Sequence, residues 1–147
     1  MFFDTIDLGD EEIYLQLYRT ADKNLEKGYV PAYYFKIIRC VDDTEVGYCD
    51  LRIGYNDNIK YGGNIGYEIY KPFRGNHYAS KACNLLFLLA KKHNMNEVII
   101  TCALENIPSR KTCEYCGAKL IGIIDVPSWH DLYKRGQKRT CQYIVKL

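Results

Sequence analysis

Residues 71–79, KPFRGNHYA, combine residue types that bind anions at the start of a helix. Proline and glycine mark a turn, and an amphipathic pattern begins directly after it at Tyr78. A strand that enters such a turn leaves backbone N–H groups without helical partners at the positive end of the helix dipole. Gly75 lets the backbone approach a ligand closely, and Arg74 adds positive charge. The spacing therefore predicts a phosphate-binding site.

A second polar group lies one helix and one strand further along the chain. In NIPSRKTCEYCG, Asn106 is a helix-cap residue, Pro108 falls in the first turn, and Gly117 ends the segment. These signals predict a short helix with Ser109 near its start. Both polar groups thus lie at helix N-termini that follow strands.

The elements that position these residues follow from hydrophobic periodicity. Alternation and short apolar runs predict strands at residues 12–20, 33–41, 46–53, 64–70, 98–104, 118–126 and 139–146. Helical spacing predicts helices from 78 to 93 and from 106 to 117. We expect residues 20–31 to form a loop or one short helix, and residues 56–63 and 127–138 to form turns or loops. The strand at 98–104 is apolar throughout, which predicts burial on both faces and a right-handed crossover from the strand at 64–70.

This order and these motifs resemble the GCN5-related N-acetyltransferase (GNAT) superfamily. Its pyrophosphate motif, Q/R-x-x-G-x-G/A, is similar to residues 74–79, RGNHYA. Its second signature, an Asn followed by a small residue and a glycine-ended helix, is similar to Asn106, Ser109, Gly117 and Ala118. The resemblance covers residues 60–125 by motif and the rest of the chain by strand order.

The resemblance implies one domain over residues 1–147 with an α/β (α+β) GNAT fold. The expected architecture is a mixed, mostly antiparallel central sheet of about six or seven strands with flanking helices. A parallel, splayed pair of strands is expected around the coenzyme A site.

The resemblance also implies acetyl-CoA as cosubstrate and no metal. The pantetheine arm is expected to pair with main chain along residues 67–70, like an added strand. The implied cofactor-binding residues are Ile69, Tyr70, Arg74, Gly75, Asn76, His77, Tyr78, Ala79, Asn106 and Ser109.

Two residues depart from the family pattern. His77 stands where glycine is usual, and it either caps the helix or faces phosphate when protonated. Cys113 stands where many members carry the tyrosine that protonates the CoA thiolate, so it is either a proton donor or a packed thiol. Tyr115 does not replace it, because two positions along a helix is about 200° of rotation.

The implied reaction is direct attack of a primary amine on the acetyl thioester in a ternary complex. The candidate catalytic residues are Glu68, Tyr67 and Cys113. Strand alternation aims Glu68 and Tyr67 at opposite faces, so we expect only one of them to face the site. Glu68 is the nearest carboxylate for a base; the alternatives are a water relay and a merely solvated or ion-paired Glu68.

The acceptor, a small molecule or a protein amine, is not specified by these residues. The short segment 20–31 implies an acceptor groove that is open or completed by a second subunit, as in a homodimer. The segment 128–139, SWHDLYKRGQKR, reads either as a site for an anionic or nucleotide partner or as a solvated hairpin loop. The rival functions are a non-catalytic acyl-CoA-binding module and, through residues 134–139, a nucleic-acid-binding module.

Composition limits the remaining function classes. The formal net charge of +2 argues against nucleic-acid binding by bulk electrostatics. The acidic N-terminal residues MFFDTIDLGDEE do not have the pattern of a signal peptide, so we expect a cytoplasmic protein that does not bind membranes. The seven cysteines are then reduced thiols, and the pair Cys113 and Cys116 lacks the second pair that a zinc ribbon needs.

Overall fold

The computed structural model describes residues 2–147, which form seven strands, four α-helices and one 3-10 turn. The strands are β1 (Ile13–Ala21), β2 (Ala32–Arg39), β3 (Thr44–Arg52), β4 (Ile65–Ile69), β5 (Glu97–Cys102), β6 (Lys119–Asp125) and β7 (Arg139–Lys146). The helices are α1 (Asp57–Gly62), α2 (Tyr78–Lys92), α3 (Ile107–Tyr115) and α4 (Asp131–Lys134), and the 3-10 turn is Lys71–Phe73. Every predicted strand and both predicted helices are present, with ends shifted by a few residues.

The strands form two antiparallel sheets that share one junction. The first sheet has the order β1-β2-β3-β4 and the second the order β5-β7-β6. Buried Asn64 joins them: its N–H donates to Ile99 O at 2.7 Å, and its Oδ1 accepts from Ile99 N–H at 2.9 Å. Beyond this point β4 and β5 share no ladder among the described residues. The predicted splayed pair is therefore β4 and β5, and the edge of β4 that faces away from β3 is open.

Helix α2 covers one face of the first sheet and supplies much of the core. Its stripe of Ala82, Cys83, Leu86, Leu89 and Ala90 is fully buried, as the helical spacing predicts. Lys91 and Lys92 in the last turn lie at the negative end of the helix dipole. The turn at residues 74–77 thus precedes a helix anchored along its length.

Strand β5 is buried on both faces, as predicted, since Val98, Ile99 and Ile100 are each at most 3% exposed. Strand β1 differs from its prediction. Ile13 and Leu15 are buried, but Leu17 is 39% exposed although it continues their regular register with β2; a β-bulge follows it, between Leu17 and Arg19.

Two segments expected to be turns or loops contain short helices. Asn56 caps α1 by accepting a hydrogen bond from Ile59 N–H at 2.9 Å, a signal that the glycines nearby obscure. Helix α4 lies within residues 127–138, where His130 Nδ1 accepts from Leu132 N–H at 3.1 Å. Residues 22–31 form no helix and close on the bridge between Asn24 and Tyr29.

None of the helices formed by residues 2–147 has the length and apolarity needed to cross a membrane. Over the same residues, no group of three or more His, Cys, Asp or Glu side chains is arranged to hold a metal ion.

Candidate functional site

The turn before α2 has the backbone shape of an anion site. Gly75 has φ +91° and His77 has φ +61°, so two left-handed residues alternate through the turn. In the described part of the chain, no backbone N–H of residues 75–79 donates to a protein acceptor. Consecutive N–H groups that converge near a helix N-terminus bind phosphate oxygens. The predicted phosphate site is thus formed by available donors.

The imidazole of His77 makes a contact that neither of its two predicted roles includes. Its side chain makes no capping hydrogen bond to α2. Its carbonyl accepts hydrogen bonds from Lys81 N–H at 3.0 Å and from Ser80 Oγ at 2.9 Å. Its imidazole stacks on the phenol ring of Tyr115, with centroids 4.4 Å apart and planes inclined by 17°. The ring therefore ties the turn to the last turn of α3.

Helix α3 starts as the sequence predicts. Asn106 Oδ1 accepts a hydrogen bond from Ser109 N–H at 3.2 Å, and Pro108 occupies the first turn. This cap fixes the helix opposite the turn at residues 74–77.

A cleft of about 960 Å³ lies between β4, this turn and α3. Ten predicted site residues line it: Tyr67, Glu68, Ile69, Arg74, Gly75, His77, Tyr78, Ala79, Asn106 and Ser109. Eight residues that sequence reasoning missed complete the lining: Tyr48, Phe73, Ser80, Pro108, Lys111, Thr112, Glu114 and Tyr115. The spacing 108, 111, 112 and 115 is one face of a helix, a signal that could have identified the α3 wall.

Three predicted site residues do not line the cleft. The Tyr70 hydroxyl donates to Glu45, a bond that raises the pKa of Tyr70 to about 12. Asn76 Nδ2 donates to Phe73 O at 3.0 Å, so the amide braces the turn from within. Cys113, which is 0% exposed, lies behind the cleft wall.

Tyr67 and Glu68 both line the cleft, which corrects the expectation that only one of them would. Alternation does hold: the Tyr67 hydroxyl is 2.7 Å from Ser109 Oγ, whereas Glu68 Oε2 accepts from the Tyr48 hydroxyl at 2.6 Å. The splay of β4 from β5 leaves the β4 edge open, so the cleft reaches side chains on both faces of the strand.

The electrostatics differ on the two faces of β4. Burial raises the pKa of the Tyr67 phenol well above its usual value, so Tyr67 stays protonated. Glu68 is half-exposed, and its Oε1 lies 3.9 Å from Arg74 Nη2. Its hydrogen bond with Tyr48 raises the pKa of the Tyr48 phenol. Glu68 is therefore a solvent-reachable carboxylate held by two side chains.

The backbone of β4 presents further polar groups to the cleft. Tyr70 N–H donates to Val46 O at 2.9 Å, so residue 70 directs its backbone toward β3. Backbone groups alternate along a strand, which places those of Tyr67 and Ile69 on the open edge. Ile69 O accepts from Arg74 Nε at 2.9 Å. The open edge can pair with an extended ligand as an added strand does.

Cys113 and Tyr115 divide between the two faces of α3 as helix geometry predicts. The Cys113 thiol is 3.9 Å from the Tyr67 hydroxyl. A hydrogen bond with Cys102, together with burial, raises the pKa of Cys113 far above that of a free thiol. Of the two residues, Tyr115 is the one that faces the cleft.

A second cavity of about 270 Å³ lies on the far face of the first sheet. Residues 22–30, within the segment expected to border the acceptor groove, form one side of this cavity, and residues 130–135, within the segment expected to be a partner site or a hairpin loop, form the other. Arg52 lines its floor, two residues along β3 from Asp50 and four from Tyr48 of the large cleft. Tyr48, Asp50 and Arg52 alternate with buried residues, so they share one face and connect the cavity with the cleft.

The large cleft fits coenzyme A. The free N–H groups at residues 75–79 suit a pyrophosphate, and a Cβ added at Gly75 would meet nothing within 4 Å, so the ligand side of the turn is open. The open β4 edge suits the amide groups of pantetheine. Arg74, His77, Asn106 and Lys111 can supply hydrogen bonds and positive charge to the same molecule.

Comparisons with known proteins agree with this geometry. A profile of the acetyltransferase (GNAT) domain matches residues 4–119. A sequence search of curated proteins finds no significant match.

Several solved structures have a similar fold. One is a GNAT-family acetyltransferase from Bacillus anthracis, with 21% identity and a TM-score of 0.61 over 77% of this chain and 65% of that one. Another is the microcin C7 self-immunity acetyltransferase in complex with acetyl-CoA and AMP, with 20% identity and a TM-score of 0.59 over 79% and 61% of the two chains. A third is the Salmonella typhimurium acetyl transferase that modifies the N-terminal serine of ribosomal protein L7/L12, with 18% identity and a TM-score of 0.61 over 83% and 66%.

The chain spans 61 to 66% of the length of these three structures. At this level of identity the likeness is one of fold. The domain profile, in contrast, covers most of the chain, including the turn at residues 74–77 and the capped start of α3. The chain therefore belongs to the GNAT acetyltransferase family.

Proposed function

We propose that this protein is an acetyl-CoA-dependent N-acetyltransferase that acts on a primary amine. The single observation that carries the proposal is the cleft in which free N–H groups at residues 75–79, the open β4 edge and the capped start of α3 face one another. No covalent enzyme intermediate is required, because the amine nitrogen can attack the acetyl carbonyl carbon directly and lose its proton to a base. The C–S bond to CoA then breaks, and the departing CoA thiolate takes up a proton from solvent.

Acetyl-CoA supplies the activated acetyl thioester. Glu68 is the base in this proposal: its carboxylate lines the cleft, is solvent-reachable, and is held by the Tyr48 hydroxyl at 2.6 Å. The Tyr67 and Ile69 main chain on the open edge supplies the N–H that stabilises negative charge on the acetyl oxygen. Tyr67, a neutral phenol held 2.7 Å from Ser109 Oγ, fixes the distance between β4 and α3.

The acceptor approaches from the second cavity. Tyr48, Asp50 and Arg52 lead from that cavity toward Glu68, and Gly66 opposite Asp50 carries no side chain that would obstruct the path. A Cβ at Gly66 would lie 2.5 Å from Asp50 Oδ1. The two carboxylates on this path, Asp50 and Glu68, each lie beside an arginine, so the charge of the path does not select among amines. One structure of similar fold modifies a ribosomal-protein N-terminus, so peptides with free N-termini belong in the test beside small amines.

The test is an acetyl-transfer assay. Purified protein is incubated with acetyl-CoA and a panel of polyamines, amino sugars, amino acids and peptides with free N-termini, and released thiol and acetylated product are measured. Turnover of at least one amine that depends on Glu68 supports the proposal. If the protein neither binds CoA nor turns over any amine in the panel, the proposal is wrong.

A second candidate function is acyl-CoA binding without catalysis, and one observation favours it. Cys113 occupies the position where many family members carry a tyrosine, and its buried thiol with a raised pKa is poorly placed to protonate a leaving thiolate. Tight CoA binding with no turnover over the whole amine panel would select this alternative.

A further inference from the structure

The face of the first sheet that points away from α2 is open to solvent around Glu68. Lys36, Tyr48 and Glu68 are cross-strand neighbours on β2, β3 and β4. The side chains of Lys36 and Glu68 are 44% and 51% exposed, and Tyr48 is 42% exposed. Residues 22–31, which connect β1 with β2, form no helix that could cover this face. An acceptor larger than a metabolite can therefore reach Glu68 from this side.

Glu68 and the second cavity are too far apart for a small acceptor to contact both. Tyr48, which holds Glu68 at 2.6 Å, and Arg52, which lines the cavity, are four residues apart on β3. At about 3.3 Å per residue, this is a span of about 13 Å. A free amino acid or a single amino sugar is shorter than this span, whereas four or five residues of extended polypeptide match it.

The second cavity has backbone groups that suit an extended chain. Val30 lines it, and neither the N–H nor the C=O of Val30 has a backbone partner among the described residues. Because Pro31 follows, an extended Val30 is favoured, in which both groups point to the same side. One residue of an extended peptide can bond to both, as in an added strand. Tyr29, Ile59 and Leu132 also line the cavity and suit an apolar side chain of that peptide.

The geometry at Glu68 suits an amine that is partly neutral before it binds. The Glu68 carboxylate accepts a hydrogen bond from the Tyr48 hydroxyl and lies 3.9 Å from Arg74 Nη2, so its negative charge is shared. An α-amino group has a pKa of about 7.7–8.0 and a lysine side chain one of about 10.4, so near neutral pH only the α-amino group is neutral in a large fraction. A polypeptide N-terminus therefore fits Glu68 better than a lysine side chain does.

We propose that the acceptor is the α-amino group of an extended polypeptide, which lies with its first residue at Glu68 and its fourth or fifth residue in the second cavity. This inference rests on the acetyl transfer proposed above. The α-nitrogen forms a bond to the acetyl carbon and gives its proton to Glu68, the C–S bond breaks, and the CoA thiolate takes a proton from solvent. The products are the Nα-acetyl polypeptide and CoA.

Peptide length tests the span. kcat/KM is measured with acetyl-CoA and alanine-based peptides of two, four, six and eight residues, each with a free α-amino group, an amidated C-terminus and leucine at positions four and five where these exist. We expect a rise of about tenfold or more from two to six residues and no further rise at eight. Glycine at positions four and five of the six-residue peptide should remove most of the rise. Equal values for two and six residues would overturn the proposal.

The identity of the acetylated nitrogen tests the choice of amine. Mass spectrometry should locate the new acetyl group of the six-residue peptide on its α-nitrogen, and a peptide with a blocked N-terminus and one internal lysine should not react. A higher kcat/KM for that blocked peptide, a polyamine or an amino sugar would overturn this inference and leave the transferase function intact. Acetylation of no amine at all would overturn the proposed transferase function, and this inference with it.

A variant of the second cavity tests where the peptide lies. Tyr29 lines the cavity and is 52% exposed, so Tyr29→Ala should lower the ratio of kcat/KM for six residues over two residues by about threefold or more. Tyr55→Ala is the matched control, because Tyr55 is 65% exposed and lines neither this cavity nor the large cleft. Both variants should melt as the wild type does, since both side chains are exposed. An unchanged ratio in Tyr29→Ala would overturn the placement of the peptide in the second cavity.

Discussion

The ring of His77 stacks on the ring of Tyr115 at a centroid distance of 4.4 Å, with the two planes 17° apart. His77 belongs to the turn that offers N–H groups to an anion, and Tyr115 to the end of α3, so the pair spans the cleft between its two walls. Family members usually carry glycine at the position of His77, and glycine adopts a left-handed φ at little cost. His77 has this left-handed conformation, with φ +61°. The stack on Tyr115 is therefore made by a residue whose backbone conformation is unfavourable for histidine.

Tyr115→Ala should weaken CoA binding. Aromatic pairs contribute about 0.5–1.5 kcal/mol beyond their buried area, so we expect a loss of roughly 2- to 12-fold in affinity, measured by isothermal titration calorimetry. Tyr115→Phe keeps the ring and is the control that should bind as the wild type does. Equal affinity for the alanine and wild-type proteins would mean that the stack does not position the turn.

His77→Ala and His77→Gly should differ in stability. Both lose the stack, but alanine must also adopt φ +61°, which costs about 1–2 kcal/mol in a left-handed conformation. Urea denaturation should therefore give a free energy of unfolding about 1 kcal/mol lower for the alanine variant than for the glycine variant. If the two variants unfold at the same urea concentration, the turn relaxes to another conformation without the imidazole. If the glycine variant binds CoA as tightly as the wild type does, the His77 side chain does not contribute to CoA binding.

Asp50→Asn should stabilise the protein at neutral pH. Burial raises the pKa of the Asp50 carboxyl although its Oδ2 is ion-paired with Arg52 Nε at 2.9 Å. A carboxyl with a raised folded pKa binds its proton more tightly when folded, so the charged form costs stability above that pKa. The advantage of asparagine should be full near pH 7, shrink as the pH falls through the raised pKa, and vanish below the ordinary value of 3.8. Thermal melting from pH 3 to pH 8 measures this, and a gap that grows toward low pH would contradict the assignment.

Glu68→Gln should lower kcat/KM for the best amine by about 10²- to 10⁴-fold, the usual contribution of a general base. The amide keeps the size of the side chain, so CoA affinity should stay unchanged. Tyr48→Phe removes the hydrogen bond that orients Glu68 and should give a smaller loss in the same direction. If Glu68→Gln keeps full activity, we would conclude that water or another residue accepts the proton from the amine.

The sequence predicts the parts of the site that depend on local signals. The glycine turn, the orphan N–H groups of a helix start and the Asn106 cap are each set by neighbouring residues, and all were found at the expected positions. The stack of His77 on Tyr115 joins residues from separate elements, so only tertiary packing brings the rings together. The same holds for Tyr67 and Glu68, which both reach the cleft because β4 separates from β5.

Local irregularities limited the fold prediction. Leu17 keeps the regular register of Ile13 and Leu15 and is nevertheless 39% exposed, because alternation sets the face of the sheet on which a side chain lies and not whether another element covers it. Asn56 caps a short helix in a stretch whose glycines indicate a turn. Hydrophobic periodicity reports neither how far cover extends along a strand nor the effect of a single capping residue.

Calorimetric titration with CoA, of the wild-type protein and of Gly75→Val, decides whether the turn before α2 holds the cofactor. Valine at φ +91° is strongly disfavoured and distorts the turn whose N–H groups are proposed to hold the pyrophosphate. An added Cβ at Gly75 would meet nothing within 4 Å, so the backbone angle is the main change. We predict one CoA bound per chain by the wild type and at least tenfold weaker binding by the variant, with both proteins folded by circular dichroism. Absence of CoA binding to the wild-type protein, or equal binding to both, would contradict the account.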